Sequence, residues 1–168
     1  MKKLPRSQKN STDDAGRKRA LELALWYLSK SARTVHEIEV RLTRKEYSAE
    51  NVGYVVKKLK DLNFLNDEEY AKNFIRNAKL GKPKGRHRIK LELIKKGVDK
   101  ELIDLAIEEG FTEGEQEELI DSAAKIYLKK IQNLPREKIY NRLMGYLLRR
   151  GFDYGKVSVK VKEILKDL

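Results

Sequence analysis

The chain has 168 residues, of which 38 are Lys or Arg and 26 are Asp or Glu, and its formal net charge is +12. That excess favours a polyanionic partner, namely nucleic acid, an acidic protein face or anionic lipid. The sequence contains no cysteine, signal-peptide core or long apolar run, which excludes disulfides, cysteine-ligated zinc and a membrane span, so we expect a cytoplasmic protein.

The first segment, residues 1–16, is polar and basic and contains Pro5. Segments of low hydrophobicity at a chain end cannot bury enough apolar surface to fold alone, so we predict a flexible basic arm. Two interpretations remain open for it: contact with DNA phosphates, or no role in binding.

The rest of the chain has the pattern of an all-α protein. Apolar residues recur at spacings of three and four, and prolines are confined to Pro5, Pro83 and Pro135. Thr34 with Glu37, and Asn66 with Glu69, have the spacing of helix-starting capping boxes. We predict nine helices, near residues 17–30, 35–45, 49–62, 67–80, 86–96, 100–109, 115–131, 136–149 and 154–167.

Three segments share one internal pattern: RLTRKEYSAENV, ELIKKGVDKELI and YLLRRGFDYGKV. Each has a leucine, a basic pair, one further residue, an apolar residue and a helix N-cap. In chain order, the pairs are Arg44-Lys45, Lys95-Lys96 and Arg149-Arg150, and the residues that follow them are Glu46, Gly97 and Gly151.

This pattern predicts a helix end followed at once by a helix start. Glycine can adopt the left-handed conformation that closes a last turn, and Ser48, Asp99 and Asp153 can cap the next helix. We therefore predict an elongated, curved array of three-helix repeats over residues 17–66, 67–111 and 112–168. Glu46 departs from the pattern, so the first repeat must close its helix without glycine or use a different turn.

Basic residues are concentrated on both sides of an acidic segment. Residues 79–96 hold eight bases and one acid, residues 99–121 hold ten acids and one base, and residues 125–162 hold eleven bases and two acids. Cations in a last helical turn also complement the helix dipole, so a solvated helix surface remains the alternative to a binding track. As candidate binding residues we take Arg44, Lys45, Lys82, Lys84, Arg86, Arg88, Lys95, Lys96, Arg149 and Arg150.

Two apolar groups are assigned to the core. Trp26 and Tyr27 lie among leucines, which favours core packing over stacking on nucleic-acid bases. In the helix near 86–96, Ile89 and Leu93 share one side while Leu91 and Ile94 lie further round, so we expect this helix to be packed on both sides.

Nothing in the sequence supports catalysis. The segment HEIEV begins like a zinc-protease helix, but Val40 stands where the second histidine is needed. The acids of residues 108–121 lack the spacing of a calcium loop and are interpreted as a solvated, helix-capping patch. We expect a binding protein with no metal, cofactor or enzymatic activity.

Two motifs resemble those of the RecX family of regulatory proteins: LNDEEYAKNFI from Leu65 and GRHRIKLELIKKGV from Gly85. The segment ALELALWYLSKSARTVHEIEVRLTRKEYS is similar to the start of that family, and the likeness extends over residues 17–168. The matched positions are Leu65, Asp67, Tyr70, Ala71, Gly85, Ile89, Leu93 and Gly97, and we expect their role to be structural.

The resemblance implies a curved array of three-helix repeats that modulates the RecA recombinase. Members of the family lodge in the groove of the RecA–DNA filament and usually restrain filament growth, ATP hydrolysis, strand exchange and co-protease action. It implies a role in DNA repair, recombination and the SOS response, with RecA and DNA as partners, no membrane and a monomeric chain. The alternative is a stand-alone helical protein that binds DNA without sequence specificity.

Overall fold

The computed structural model describes residues 14–166. This part of the chain forms nine α-helices and no strand, so the predicted fold class is confirmed. The helices are α1 (Asp14–Lys30), α2 (Val35–Thr43), α3 (Ala49–Asp61), α4 (Asp67–Ala78), α5 (Arg86–Lys95), α6 (Lys100–Gly110), α7 (Glu115–Leu128), α8 (Arg136–Arg149) and α9 (Tyr154–Lys166).

The observed helices begin and end close to the predicted positions. Thr34 and Glu37 form the predicted capping box at the start of α2, and Asn66 accepts a hydrogen bond from the backbone N–H of Glu69 at the start of α4. Helix α1 begins at Asp14, three residues earlier than predicted, and the rest of the predicted basic arm lies outside the described residues.

Described residues fall into two compact units. One unit comprises residues 14–70 together with Lys96–Asp99, and the other comprises Ala71–Lys95 together with residues 100–166. Each unit therefore contains residues from the middle repeat of the sequence pattern.

The core of the first unit lies between α1, α2 and α3. Ala20, Ala24 and Tyr27 form one helical stripe of α1 and pack with buried residues of the other two helices. The prediction that both neighbouring aromatic rings are buried is confirmed for Tyr27 and wrong for Trp26, which is 54% exposed. Adjacent helical residues are about 100° apart around the axis, so only one of the two rings can continue the stripe.

The second unit has its main core between α7, α8 and α9. Leu143 and Leu147 of α8 and Val157 and Val161 of α9 are fully buried there. Beside this core, the rings of Tyr127 and Tyr146 stack with centroids 4.1 Å apart.

Helix α5 packs on α6 in the second unit. Ile89 and Leu93 are fully buried, as predicted, but Leu91 and Ile94 are 55% and 46% exposed. The prediction that α5 is packed on both sides is therefore wrong. The buried apolar residues of α5 cover only one side of the helix.

The turns that follow α2 and α8 have the same geometry. At the end of α8 the backbone N–H of Phe152 donates to the carbonyl of Leu147, and that of Gly151 donates to Leu148. Tyr47 and Glu46 make the equivalent bonds to Leu42 and Thr43 at the end of α2. This pair of hydrogen bonds defines a Schellman motif, in which the residue after the helix is left-handed.

Gly151 has a second role besides its left-handed φ of 83°. A Cβ atom on Gly151 would lie 2.2 Å from the backbone nitrogen of Arg88, and one on Gly85 would lie 2.2 Å from the carbonyl oxygen of Gly151. The carbonyl of Arg150 accepts from the N–H of Gly85 at 2.9 Å, and that of Gly151 accepts from His87 at 3.2 Å. The α8–α9 turn thus contacts the start of α5 backbone to backbone.

Gly97 makes the corresponding contact in the first unit. Its φ is 76°, and an added Cβ would lie 2.3 Å from the Cβ of His36 in the first turn of α2. The buried hydroxyl of Thr34 donates to the carbonyl of Lys96 at 2.6 Å. The turn of one repeat therefore docks on the first turn of the second helix of the repeat before it.

Glu46 occupies the same left-handed position in the first repeat, with φ of 63°. It is exposed. Its side chain therefore reaches solvent, whereas a Cβ atom at Gly97 or Gly151 would meet a neighbouring segment. The first repeat therefore uses the same turn, with a non-glycine residue in the strained left-handed conformation.

We predict that Gly151→Ala lowers the free energy of unfolding by about 2–4 kcal/mol. The added Cβ atom strains the left-handed backbone conformation and also clashes with the start of α5. Urea denaturation measures this change. Gly114 has φ of 80° and open space around it, so Gly114→Ala is the matched control and should cost about 1 kcal/mol. Equal costs for the two variants would contradict the docking contact.

We predict that Glu46→Gly raises the free energy of unfolding by about 0.5 kcal/mol, because relief of the left-handed strain exceeds the entropy cost of glycine. Thermal and urea denaturation report the change. Glu46→Ala removes the charge but keeps a Cβ, so it should give no gain. A gain of the same size from alanine would show that charge, rather than strain, is responsible.

Candidate functional site

The first cation of each basic pair lies at the end of the second helix of its repeat. Arg44, Lys95 and Arg149 are all exposed. Within residues 14–166 none of the three has a carboxylate partner. These three equivalent positions therefore present unpaired positive charge.

The second cation of the pair makes internal contacts in the second and third repeats. Lys96 contacts Glu37 with 3.0 Å between Nζ and Oε1, and the Nε of Arg150 donates to the carbonyl of Pro83 at 2.9 Å. Both contacts join the turn to the start of the helix on which its glycine docks. Lys45, the second cation of the first repeat, is exposed.

Lys96 is held by more than one group. A hydrogen bond with Tyr70 and the contact with Glu37 raise the pKa of Lys96, although partial burial opposes them. Its Nζ also lies 5.5 Å from the centre of the Tyr70 ring. Because these contacts satisfy the ammonium internally, Lys96 is less available to a partner than Lys95.

Three more predicted cations cluster around α5. Lys84 Nζ lies 2.5 Å and Arg88 Nε 2.7 Å from the two carboxylate oxygens of Glu92. Burial favours a raised pKa for Glu92, but hydrogen bonds from Lys84 and Arg88 outweigh it and lower the pKa. The guanidinium of Arg86 lies 4.9 Å from the centre of the buried Phe111 ring.

One open pocket in the second unit brings together three of the ten predicted residues. It has a volume of about 430 Å³ and is lined by α4, the α4–α5 loop and the α8–α9 turn. Lys82, Lys84 and Arg150 all contribute to its wall.

Five acids of the 99–121 segment are neutralised by lysines from elsewhere in the second unit. Burial favours a raised pKa for Glu115, but Lys79 lowers it with a contact of 2.8 Å, and Lys156 lowers the pKa of Glu117. For residues 108–121, the predicted helix-capping role is seen at Glu115, which accepts from the backbone N–H of Thr112, but four of the acids also form ion pairs that join helices. The five pairs of the whole 99–121 segment are Lys72–Glu109, Lys79–Glu115, Lys90–Asp104, Lys156–Glu117 and Lys160–Asp121.

Residues 14–166 contain no cluster of His, Asp or Glu arranged to hold a metal ion. In the same part of the chain, no helix combines the length and the apolar character that a membrane crossing requires.

Comparison with known proteins gives consistent results. The model of the first three-helix domain of RecX matches residues 20–59, and that of the second matches residues 66–107. A regulatory protein RecX from Prosthecochloris aestuarii is 30% identical over 157 residues, which cover 90% of this chain and 97% of the relative. The chain belongs to the RecX family.

Other RecX proteins agree in sequence and in fold. The regulatory protein RecX of Streptococcus gordonii is 33% identical over 84% of this chain, which spans only 54% of that longer relative. The crystal structure of RecX from Lactobacillus salivarius superposes with a TM-score of 0.77 at 28% identity, covering 90% of this chain and 97% of the other. The relatives are named as regulatory proteins rather than as enzymes.

The structure explains the residues that carry the family motifs. The carboxylate of Asp67 accepts a hydrogen bond from the backbone N–H of Val35 at 2.9 Å, while Tyr70 contacts Lys96. Gly85 and Gly97 allow the two docking contacts. The other four motif residues are buried, namely Leu65, Ala71, Ile89 and Leu93.

Sequence reasoning missed the docking role of the glycines and the inward role of Lys96 and Arg150. One signal for both was present. Glycine follows the basic pair in the second and third repeats, whereas Glu46 follows it in the first.

We predict that the free energy of unfolding decreases as the pH is lowered below 4.5. The reason is that folding lowers the pKa of Glu92 from its ordinary value of 4.5. A group with a lowered folded pKa stabilises the fold above its unfolded pKa and loses that contribution as the pH falls through the folded value. Urea denaturation from pH 7 to pH 3 should show the fall. Glu92→Gln cannot titrate, so its deficit relative to the parent chain should shrink with acidification. A deficit independent of pH would contradict this role.

Proposed function

We propose that this chain binds the RecA–DNA filament in the cytoplasm and inhibits RecA ATP hydrolysis, strand exchange and co-protease action. Membership of the RecX family supports a regulatory role, and the identity of the regulated protein follows from the resemblance drawn from the sequence motifs. The chain acts by binding rather than by catalysis.

The observation that carries the proposal is the exposed cation at one position of all three repeats. Arg44, Lys95 and Arg149 each end the second helix of a repeat and remain unpaired within the described part of the chain. A repeated protein that presents one charge per repeat suits a partner whose opposite charges also recur, such as a nucleic-acid backbone or a polymer of acidic protein subunits.

Internal pairing strengthens this interpretation of the charge. Lys72, Lys79, Lys90, Lys156 and Lys160 are matched by carboxylates, so the +12 excess resides in other side chains. Unpaired surface cations increase association rates with anionic partners and make binding sensitive to salt.

We predict that the triple variant Arg44→Glu, Lys95→Glu and Arg149→Glu needs at least about ten-fold more protein for half-inhibition of RecA ATP hydrolysis on single-stranded DNA. Opposite charges at all three positions would repel the anionic partner. The assay measures ATP turnover by RecA with increasing amounts of each variant, at two salt concentrations. The triple variant should also reduce the dependence of inhibition on salt.

The matched control changes Lys129, Lys138 and Lys162 to Glu. These lysines are exposed and unpaired within residues 14–166, and the change in net charge is the same. Equal losses in both triples would contradict a defined binding surface. Inhibition far below one chain per RecA would indicate filament capping, whereas inhibition only near saturation would indicate occupation of the groove.

The same titration without RecA separates the alternative function. A stand-alone DNA-binding protein would bind DNA with a steep salt dependence and would not require RecA. If RecA hydrolysis is inhibited only to the extent that the chain covers free DNA, the filament proposal is wrong.

A further inference from the structure

The pocket in the second unit is a distinct cationic site. Its wall includes Lys82, Lys84 and Arg150, and no carboxylate of residues 14–166 lines it. A volume of about 430 Å³ lies within the range of small-ligand sites, roughly 300–1,000 Å³. The site therefore has the size and the charge to hold an anionic group larger than a simple ion.

A neighbouring pocket shows that this charge is not a general property of the surface. It also contains lysines, Lys72 and Lys79, but Glu109 and Glu115 line the same wall and pair with them. In the cationic pocket, Glu92 contacts Lys84 from outside the lining and is shared with Arg88. Two cations share that carboxylate, so the positive excess remains.

Arg150 is fixed in the pocket wall by the docking contact. Its Nε donates to the carbonyl of Pro83, and its own carbonyl accepts from Gly85 in the close contact between the two turns. One terminal guanidinium nitrogen is buried without an acceptor among the described residues. A ligand or a water molecule in the pocket can accept a hydrogen bond from a buried donor of this kind.

The remaining wall is apolar and aromatic. Phe74 lies in it, with Lys84 Nζ 5.7 Å from the ring centre, and Leu80 is 67% exposed. Asn77 adds an amide that can both donate and accept hydrogen bonds. Proteins that bind single-stranded nucleic acids combine cations with aromatic side chains, because the cations contact the phosphates and the bases stack on the rings.

We infer that this pocket binds one nucleotide unit of single-stranded nucleic acid. The phosphate contacts Lys82, Lys84 and Arg150, and the base lies against Phe74 and Leu80. The inference deepens the proposed function, on which it rests for the presence of a nucleic-acid partner. It assigns strand contact to the α4–α5 loop, separate from the three repeated cations.

Binding of a fluorescein-labelled deoxythymidine oligonucleotide, measured by anisotropy without RecA, tests the inference. Lys82 is exposed and has no partner within residues 14–166, so we expect Lys82→Glu to leave the fold intact. Lys138→Glu makes the same charge change outside the pocket. We expect Lys82→Glu to bind about ten-fold more weakly than Lys138→Glu, with the salt slope lowered by about 0.7 for each lost phosphate contact.

Phe74→Leu tests the stacking wall. It should weaken oligonucleotide binding about five-fold or more while thermal denaturation shows an intact fold. Unchanged binding by a folded Phe74→Leu variant would overturn the assignment of a nucleotide. Equal binding by Lys82→Glu and Lys138→Glu would overturn the pocket as the site.

Competition identifies the source of the ligand. Displacement of the oligonucleotide by deoxythymidine monophosphate would support a pocket that also takes free nucleotides, and displacement only by unlabelled strand would support recognition within a strand. Displacement by polyglutamate at equal charge concentration would overturn the inference in favour of an acidic protein. Because RecA is absent throughout, a negative result here leaves the ATP hydrolysis experiment to decide the proposed function separately.

Discussion

The contact on which the rest of this structure depends is a close approach between a glycine turn and the start of a helix, backbone to backbone at Gly151 and against the His36 side chain at Gly97. At Gly151 and Gly97 the space for a Cβ atom is already filled by the neighbouring segment. The left-handed conformation closes one helix, and the missing side chain lets that closed end dock. Carbonyl groups freed at the end of one helix then accept hydrogen bonds from donors at the start of another, so each terminus satisfies part of the other.

Docking also divides the basic pairs into two kinds of residue. Lys96 and Arg150 lie beside the docked glycines, where their cations contact Glu37 and the Pro83 carbonyl. Lys95 and Arg149, one residue earlier, lie on the exposed side of the same turns. Because neighbouring positions at a helix end point in directions about 100° apart, the second cation joins its turn to the neighbouring helix start while the first faces solvent.

The ion pairs of the second unit have a comparable effect on the overall charge. Half of the acids in the 99–121 segment are matched by lysines close in space, and these pairs join separate helices. The alternation of basic and acidic segments along the chain is thus partly cancelled within the fold. What remains unpaired is mainly positive, consistent with a regulatory protein that recognises an anionic assembly by its surface.

The sequence alone determined the helices, the left-handed turns, the caps and the family, because these depend on residues within a few positions of one another. It also identified the basic pairs and singled out Glu46. Only the tertiary structure decided that Lys96 and Arg150 make internal contacts, that Trp26 and Leu91 are exposed, and that Lys82, Lys84 and Arg150 share a pocket. Periodicity defines the face of a helix but not whether another segment covers it. Lys84 and Arg150, 66 positions apart in the sequence, share a pocket only because Gly85 and Gly151 have no Cβ atoms to keep their two segments apart.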